Sequence, residues 1–296
     1  MKSAVCLMVK NEEHDLAEWL AFHHIIGFDA CVVFDHESTD GTDRVLAKAA
    51  RVQDVRVIRW RSKQPDAQTT AYRECLRRFK RHFDWIAFLD SDEFLIPKGE
   101  PTVRPMLERL SRHSQIAINE AFFGTSGHDR FPLGLVLESF RRRAENGFDP
   151  NNLVKPIVRP SHVRRVVNPH AFEVSGTTVT PSGQPAEWTD TFGKLKSPPD
   201  YARCQVNHYF LRSRQHWENK LRRSYPNPND ARAPAHFAWY DRNEIEDGSA
   251  DPYIEATRRQ RDRILAARTG GSLLSRFFPA TVARRLAVRK AEKRQW

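Results

Sequence analysis

Three times in the first ninety residues a short apolar run gives way to a stretch of helical spacing, and a fourth apolar run follows. That alternation restricts the chain to an α/β architecture with a mostly parallel sheet and right-handed crossovers. The apolar runs are Ala4–Val9, Ala30–Phe34, Val55–Trp60 and Trp85–Leu89. The first intervening helix is expected over Glu13–Ile26, with Leu16, Trp19, Leu20, His23 and Ile26 at helical spacing and Gly27 closing it. The second starts in Ser38-Thr39-Asp40-Gly41-Thr42 and runs to Ala50; the third, Ala67–His82, carries Ala71, Cys75, Leu76 and Phe79 on one face. Ala30–Phe34 has no polar alternation, as expected of a strand covered on both sides.

Beyond Pro97 the pattern weakens. A helix is expected over Val103–Ser111, strands over Gln115–Asn119 and Gln205–Phe210, and helices over His216–Arg223 and Ile254–Ala267. Ala121–Gly134 and Pro150–Asp200 read as loop-rich, and Ser224–Pro234 as a loop. Hydrophobic residues make up 40% of the 296 positions, enough to build a core and to exclude a wholly disordered chain. No apolar run approaches the roughly 18 residues of a membrane-spanning helix. The four cysteines, Cys6, Cys31, Cys75 and Cys204, form no C-x-x-C pair, so neither a disulfide framework nor a zinc site is expected. The N-terminal apolar run Ala4–Val9, interrupted by Lys10-Asn11-Glu12-Glu13, is too short for a signal peptide, and together with the cysteine pattern this leads us to expect a cytoplasmic protein.

The chemistry concentrates at three strand ends. The fourth run ends in Asp90-Ser91-Asp92-Glu93-Phe94. Ligands of open α/β sheets bind beyond the carboxyl ends of strands, and carboxylates spaced this way can converge on one hard divalent cation that neutralises a diphosphate. Asp-Ser-Asp is equally a common turn sequence at a solvated strand end. After the first strand, Lys10-Asn11-Glu12-Glu13 can read a nucleobase or ribose, or simply cap the helix that follows. After the second, Asp35 is a better ligand candidate than Ser38 or Asp40, which suit a helix cap. A phosphohydrolase of the haloacid dehalogenase type also has Asp-x-Asp after an apolar strand, but on an early strand and usually with Thr or Val where Phe94 stands. A nucleotidyltransferase would be expected to show a glycine-rich phosphate loop near the N-terminus, and none is present.

Taken in order, these segments resemble the glycosyltransferase family 2-like group with the GT-A fold, and most nearly the family-92-type enzymes. The resemblance continues through Phe123-Gly124-Thr125-Ser126-Gly127-His128, Lys155-x-x-Val158-Arg159-Pro160, Val167–His170 and Asn207-His208-Tyr209-Phe210-Leu211-Arg212-Ser213 with Lys220. It implies a GT-A domain over 1–225, with a nucleotide-binding half (1–97) and an acceptor and metal half (98–225), then a helical extension (226–269). The implied activity is metal-dependent hexosyl transfer from a nucleotide-diphosphate sugar, UDP-linked by expectation, to a glycan, lipid-linked or protein acceptor. The resemblance implies that Lys10, Asn11, Glu12 and Asp35 hold the nucleoside, and that Asp90 and Asp92 bind ribose and Mn2+ or Mg2+. It makes His208 a third metal ligand or a diphosphate contact, and sets Lys155, His170 and Lys220 along the same cleft. Glu120, Asp129 and Glu173 are the candidates for a general base, the first two preferred for their places at a strand end and in a nearby loop.

Charge separates the body from its tail. The chain carries a formal +11, and Glu255–Trp296, with twelve basic and three acidic residues, supplies +9 of it. A nucleic-acid-binding protein would more often place that charge on its folded domain, so none is expected as a partner. In 270–296, Leu274, Phe278, Val282 and Leu286 recur every four residues among arginines, the pattern of a helix lying in an anionic membrane interface or packing on the protein's own body. A peripheral position at the inner face of the membrane follows from the first reading; a non-enzymatic, membrane-binding protein is its extreme form.

Overall fold

The computed structural model describes residues 1–62, 66–222 and 235–268. The loop expected over Ser224–Pro234 and the amphipathic tail expected over 270–296 lie outside them.

The first half follows the expected alternation: β1 (Ser3–Val9), α1 (Leu16–Ile25), β2 (Ala30–His36), α2 (Thr42–Ala49), β3 (Val55–Trp60), α3 (Ala67–Phe79) and β4 (Trp85–Phe88). Then come β5 (Glu93–Pro97), α4 (Arg104–Arg109), β6 (Gln115–Phe122), α5 (Val136–Ser139), β7 (Arg142–Arg143) and β8 (Val154–Val158). The remainder comprises β9 (Val163–Val166), β10 (Phe172–Val174), β11 (Thr178–Val179), β12 (Cys204–His208), α6 (Arg214–Arg222), α7 (Ala235–Tyr240), β13 (Ile245–Glu246) and α8 (Asp251–Ala266). The main sheet runs β3-β2-β1-β4-β8-β6-β12-β5, with β11 paired to β6. β3, β2, β1 and β4 are parallel, while β8 and β5 enter antiparallel to their neighbours.

Side chains of β1 alternate between two cores. Val5, Leu7 and Val9 join α1 and α2 on one face; Ala4 and Cys6 join Ala71, Tyr72 and Cys75 of α3 on the other. α1 is buried along Leu16–His23 because α8 packs over it, Tyr253 and Ile264 entering the same core. Gly27 closes α1 with φ +96° and its N–H on the His24 carbonyl at 3.1 Å, as the sequence predicts. All four cysteines are buried and free. No helix among the described residues is long and apolar enough to cross a membrane.

Four strands, β8 to β11, lie in Pro150–Asp200, which was expected to be loop-rich, and β5 lies where no element was expected. β8 was obscured by Pro156, which ordinarily argues against a central strand. It is tolerated because pairing to β4 stops at Ala87–Ile157, so the missing N–H falls just past the last paired residue on that side. β5 was obscured by the acidic run that opens it, yet all five of its residues are buried. β4 and β5 are neighbours in sequence but four places apart in the sheet. Four gaps of a flat sheet span about 19 Å. The chain from Phe88 to Glu93 reaches at most about 18 Å. The sheet therefore curls, and β8, β6, β12 and β5 turn polar side chains toward the acidic turn that ends β4.

Candidate functional site

The Asp90–Glu93 turn is held by its backbone, leaving its side chains to point where the surrounding strands allow. The Trp19 indole N–H of α1 donates to the carbonyls of Asp90 (3.0 Å) and Glu93 (2.7 Å). Arg212, at φ +53°, donates to the Ser91 carbonyl at 2.9 Å, and the Tyr209 N–H donates to that of Asp92 at 2.8 Å. All four carbonyls of the turn are thus satisfied. His23 steadies Trp19 from below: its Nδ1–H donates to the Trp19 carbonyl at 2.9 Å, and burial pushes its pKa down to about 3, keeping it neutral.

The side chains form one ionic cluster. Asp90 accepts from Lys155 Nζ at 2.8 Å and, through its other oxygen, from Gln68. Lys155, on β8 and 1% exposed, also lies 3.0 Å from Glu93 Oε1, and Glu93 Oε2 accepts the Asp90 N–H at 2.9 Å. Asp92 pairs with Lys220 of α6, whose ammonium also donates to the Phe210 carbonyl at 2.6 Å. His208 Nε2 stands 3.8 Å from Asp92 Oδ1, and its Nδ1 is 2.7 Å from Glu120 Oε2. Burial opposes the Asp92 charge, but the Lys220 ammonium, the strongest of the groups facing it, outweighs that cost, so its pKa lies well below the usual carboxylate range. Glu93 goes the other way: burial and the neighbouring carboxylates lift it well above that range despite Lys155.

The structure brings Asp90, Asp92, Lys155, Glu120, His208 and Lys220 into this one cluster. Asp92 is buried, not a solvated strand end, because α6 closes over it. Glu120 is fully buried and faces two imidazoles, with His170 Nδ1 at 3.2 Å from its Oε1. Asp129 is exposed and pairs with Arg214 at 3.4 Å; no contact among the described residues joins it to the cluster. Glu173 is likewise apart, paired with Arg165 on the β9–β10 hairpin.

The nucleoside candidates occupy the ends of β1 and β2, beside the cluster. Asn11, at φ +57°, uses its Oδ1 to accept the Thr39 N–H at 2.7 Å, and Asp35 Oδ1 accepts the Ser38 N–H at 3.2 Å. Glu12 lies 3.5 Å from Arg212, and Lys10 is half-buried at the end of β1. A cleft of about 440 Å3 opens here, with Asn11, Glu12, Arg212 and Lys220 on its wall; Lys10 and Asp35 are not on it. A second cluster, His14, Asp15 and His216, lines the same cleft. The Arg212 guanidinium already sits on Asp15, supplying the positive charge that a metal ion would bring.

Trp19 and Arg212 were not singled out as site residues from sequence: Trp19 entered only as an apolar position of the first helix and Arg212 only within the Asn207–Ser213 motif. Their contacts to the acidic turn are to backbone carbonyls, which impose no residue type on the partner, while Arg212 also pairs with Asp15. Gln68 gave no signal at all.

The family model for glycosyltransferase family 92 matches residues 2–227. The chain belongs to that family. A family 92 protein of Oryza sativa subsp. japonica is 27% identical over 173 residues, covering 57% of this chain and 30% of that protein. One from Ricinus communis is 24% identical over 168 residues, with 55% and 30% covered. The chain thus spans about 30% of the length of these family 92 relatives. Among solved structures, TarS of S. aureus in complex with UDP aligns with TM-score 0.36 and 18% identity over 54% of this chain and 47% of that one. Glucosyl-3-phosphoglycerate synthase from Mycobacterium tuberculosis, in complex with Mn2+, UDP and glucosyl-3-phosphoglycerate, gives 0.33 and 18% over 55% and 58%. The family 92 chain has the GT-A fold expected of it: a parallel β3-β2-β1-β4 half with the acidic turn at the end of β4, continued by a mixed half.

Proposed function

We propose that this protein transfers a hexosyl group from a nucleotide-diphosphate sugar, UDP-linked, to a hydroxyl of a glycan, lipid-linked or protein acceptor, and that it requires Mn2+ or Mg2+. The observation that carries the metal requirement is the charge balance of the buried cluster. Asp90, Asp92, Glu93 and Glu120 face two lysines, Lys155 and Lys220. With Glu93 lifted well above the carboxylate range by its burial, Asp90, Asp92 and Glu120 still outnumber the two ammonium groups, an excess of the sign that a divalent cation offsets. The donor atoms suit such an ion: ligand atoms of Asp92, Glu93 and His208 all lie within 4.8 Å of one another.

Asp92 and His208 would hold the ion, with Asp90 beside them for the ribose. Bound there, a divalent cation supplies neutralisation of the diphosphate as it leaves. The chain's own part is to keep that position rigid and dry. Trp19, Arg212 and the Tyr209 N–H prevent the turn from shifting, and Lys155 and Lys220 keep Asp90 and Asp92 ionised in a buried setting. Asn11 and Glu12, on the cleft wall, would hold the nucleoside, with Asp35 off the wall at the end of β2. A phosphohydrolase acting through Asp90 as nucleophile is disfavoured, because both oxygens of that carboxylate are engaged, by Lys155 and by Gln68.

A screen of nucleotide-sugar hydrolysis, run with Mn2+, with Mg2+ and with EDTA, tests the proposal. Turnover of at least one nucleotide sugar that stops in EDTA and returns with either ion is the expected result; turnover untouched by EDTA contradicts it. The basic tail is proposed to contact anionic membrane. Sedimentation of the full chain with anionic vesicles at low salt, lost on deleting 271–296, is expected; a full chain that ignores the vesicles overturns that part.

A further inference from the structure

Among the groups of the cluster, Glu120 fits the role of a base least well. It lies on β6 with no solvent exposure, and its backbone carbonyl is capped by the Tyr201 hydroxyl at 2.6 Å. Neither carboxylate oxygen faces an opening; both face histidines on other segments. Burying a carboxylate this completely is costly unless it is paired, so its partners indicate its role.

The tighter partner is His208. Its Nδ1 lies 2.7 Å from Glu120 Oε2, a full hydrogen bond, whereas its Nε2 is 3.8 Å from Asp92 Oδ1, beyond hydrogen-bond reach. The close contact is on the Nδ1 side, and a ring that donates through Nδ1 to Glu120 turns Nε2 toward Asp92 as an acceptor. Packing fixes the ring but not its proton: Phe122 lies 4.5 Å from it, ring centre to ring centre, and Phe210 5.5 Å away edge-on. Among the described residues the Glu120 contact is the one within hydrogen-bond distance of Nδ1, Glu93 Oε1 standing 3.7 Å away.

We infer that Glu120 is a positioning residue: through its hydrogen bond to His208 Nδ1 it presents His208 Nε2, together with Asp92, to the divalent cation. The inference rests on the metal-dependent reading above. It moves Glu120 from the acceptor side of the reaction to the support of the metal site, and explains a carboxylate buried where no acceptor hydroxyl reaches.

The test is Mn2+ binding to the full chain, followed by loss of the free-ion EPR signal, for wild type, E120A, E120Q and H208A, alone and as E120A/H208A. E120A should weaken Mn2+ binding by about 10–100-fold, the range found for outer-shell partners of metal-bound histidines. E120Q, whose amide oxygen still accepts the Nδ1 proton, should recover most of that loss. In the H208A background E120A should add nothing, because its effect passes through His208. Wild-type affinity in folded E120A overturns the inference, as does a loss of equal size with and without His208. Failure of wild type to bind Mn2+ at all overturns the metal reading and this inference with it. Imidazole 15N NMR of metal-free wild type gives a readout independent of how the variants fold: a proton on Nδ1 of His208 is expected, and one on Nε2 overturns the inference.

Discussion

Trp19 illustrates how a residue far from the acidic motif in sequence decides what the motif can do. Its indole N–H satisfies two carbonyls of the turn, and no other natural side chain fills the same volume with a donor at that place. Trp19→Phe should cost about 1–3 kcal/mol in urea unfolding, from unpaired buried carbonyls and lost volume, and should weaken Mn2+ binding as the turn loosens. Unchanged stability would mean that the turn is held by other means. Asp92→Asn removes the charge opposite Lys220 as well as a proposed metal ligand. It should abolish measurable Mn2+ binding and also destabilise the fold, by about 1–3 kcal/mol, since a half-matched buried pair is worse than none. At this scale the sequence pointed to Asp90, Asp92, Glu120 and His208, which the fold gathers, and also to Asp129 and Glu173, which it keeps apart, because acidic residues at strand ends and in loops look alike in sequence. It did not show Trp19 or Arg212 acting on carbonyls, nor that α6 buries Asp92.

The elements that assemble the second half of the sheet are short and held by individual contacts. β13 pairs with β7, and Asp247, just after β13, ties both to β12: Arg143 Nε donates to it at 2.7 Å, Gln205 Nε2 at 3.2 Å and the Ser249 N–H at 2.9 Å. Burial opposes its charge, but Ser249, Arg143 and Gln205 bring its pKa down to about 2. A carboxyl depressed in the folded state stabilises the protein above its unfolded pKa, near 3.8, and that contribution fades as pH falls through the folded value. Asp247→Asn should therefore lose about 1–2 kcal/mol at pH 7, with the gap to wild type narrowing below pH 3.8 and closing near pH 2. A gap that stays constant with acid would show that the charge is not responsible. Gly124 is the other fixed point. A Cβ there would stand 2.4 Å from the Arg242 carbonyl, so Gly124→Ala should destabilise by about 1–3 kcal/mol, read as a lowered Tm. The first-half elements were legible in the sequence because each has a covered apolar run and a helix of clear period. β8 and β5 were not, since a proline and an acidic run masked them and only their neighbours in the sheet make them strands.

For the molecule as a whole, the parallel half supplies strand ends for a nucleotide and the curled half supplies the groups that close on the acidic turn. α8, from beyond the family-matched 2–227, completes the core over α1, which in turn carries Trp19 to the turn. The two-sided site is what the account stands on, and calorimetric titration of UDP into the full chain tests it most directly, once in Mn2+ and once in EDTA. The account predicts UDP binding at least about 10-fold tighter with the ion, since the buried carboxylates repel a diphosphate until a cation offsets them. Equal UDP affinity in Mn2+ and in EDTA would contradict it.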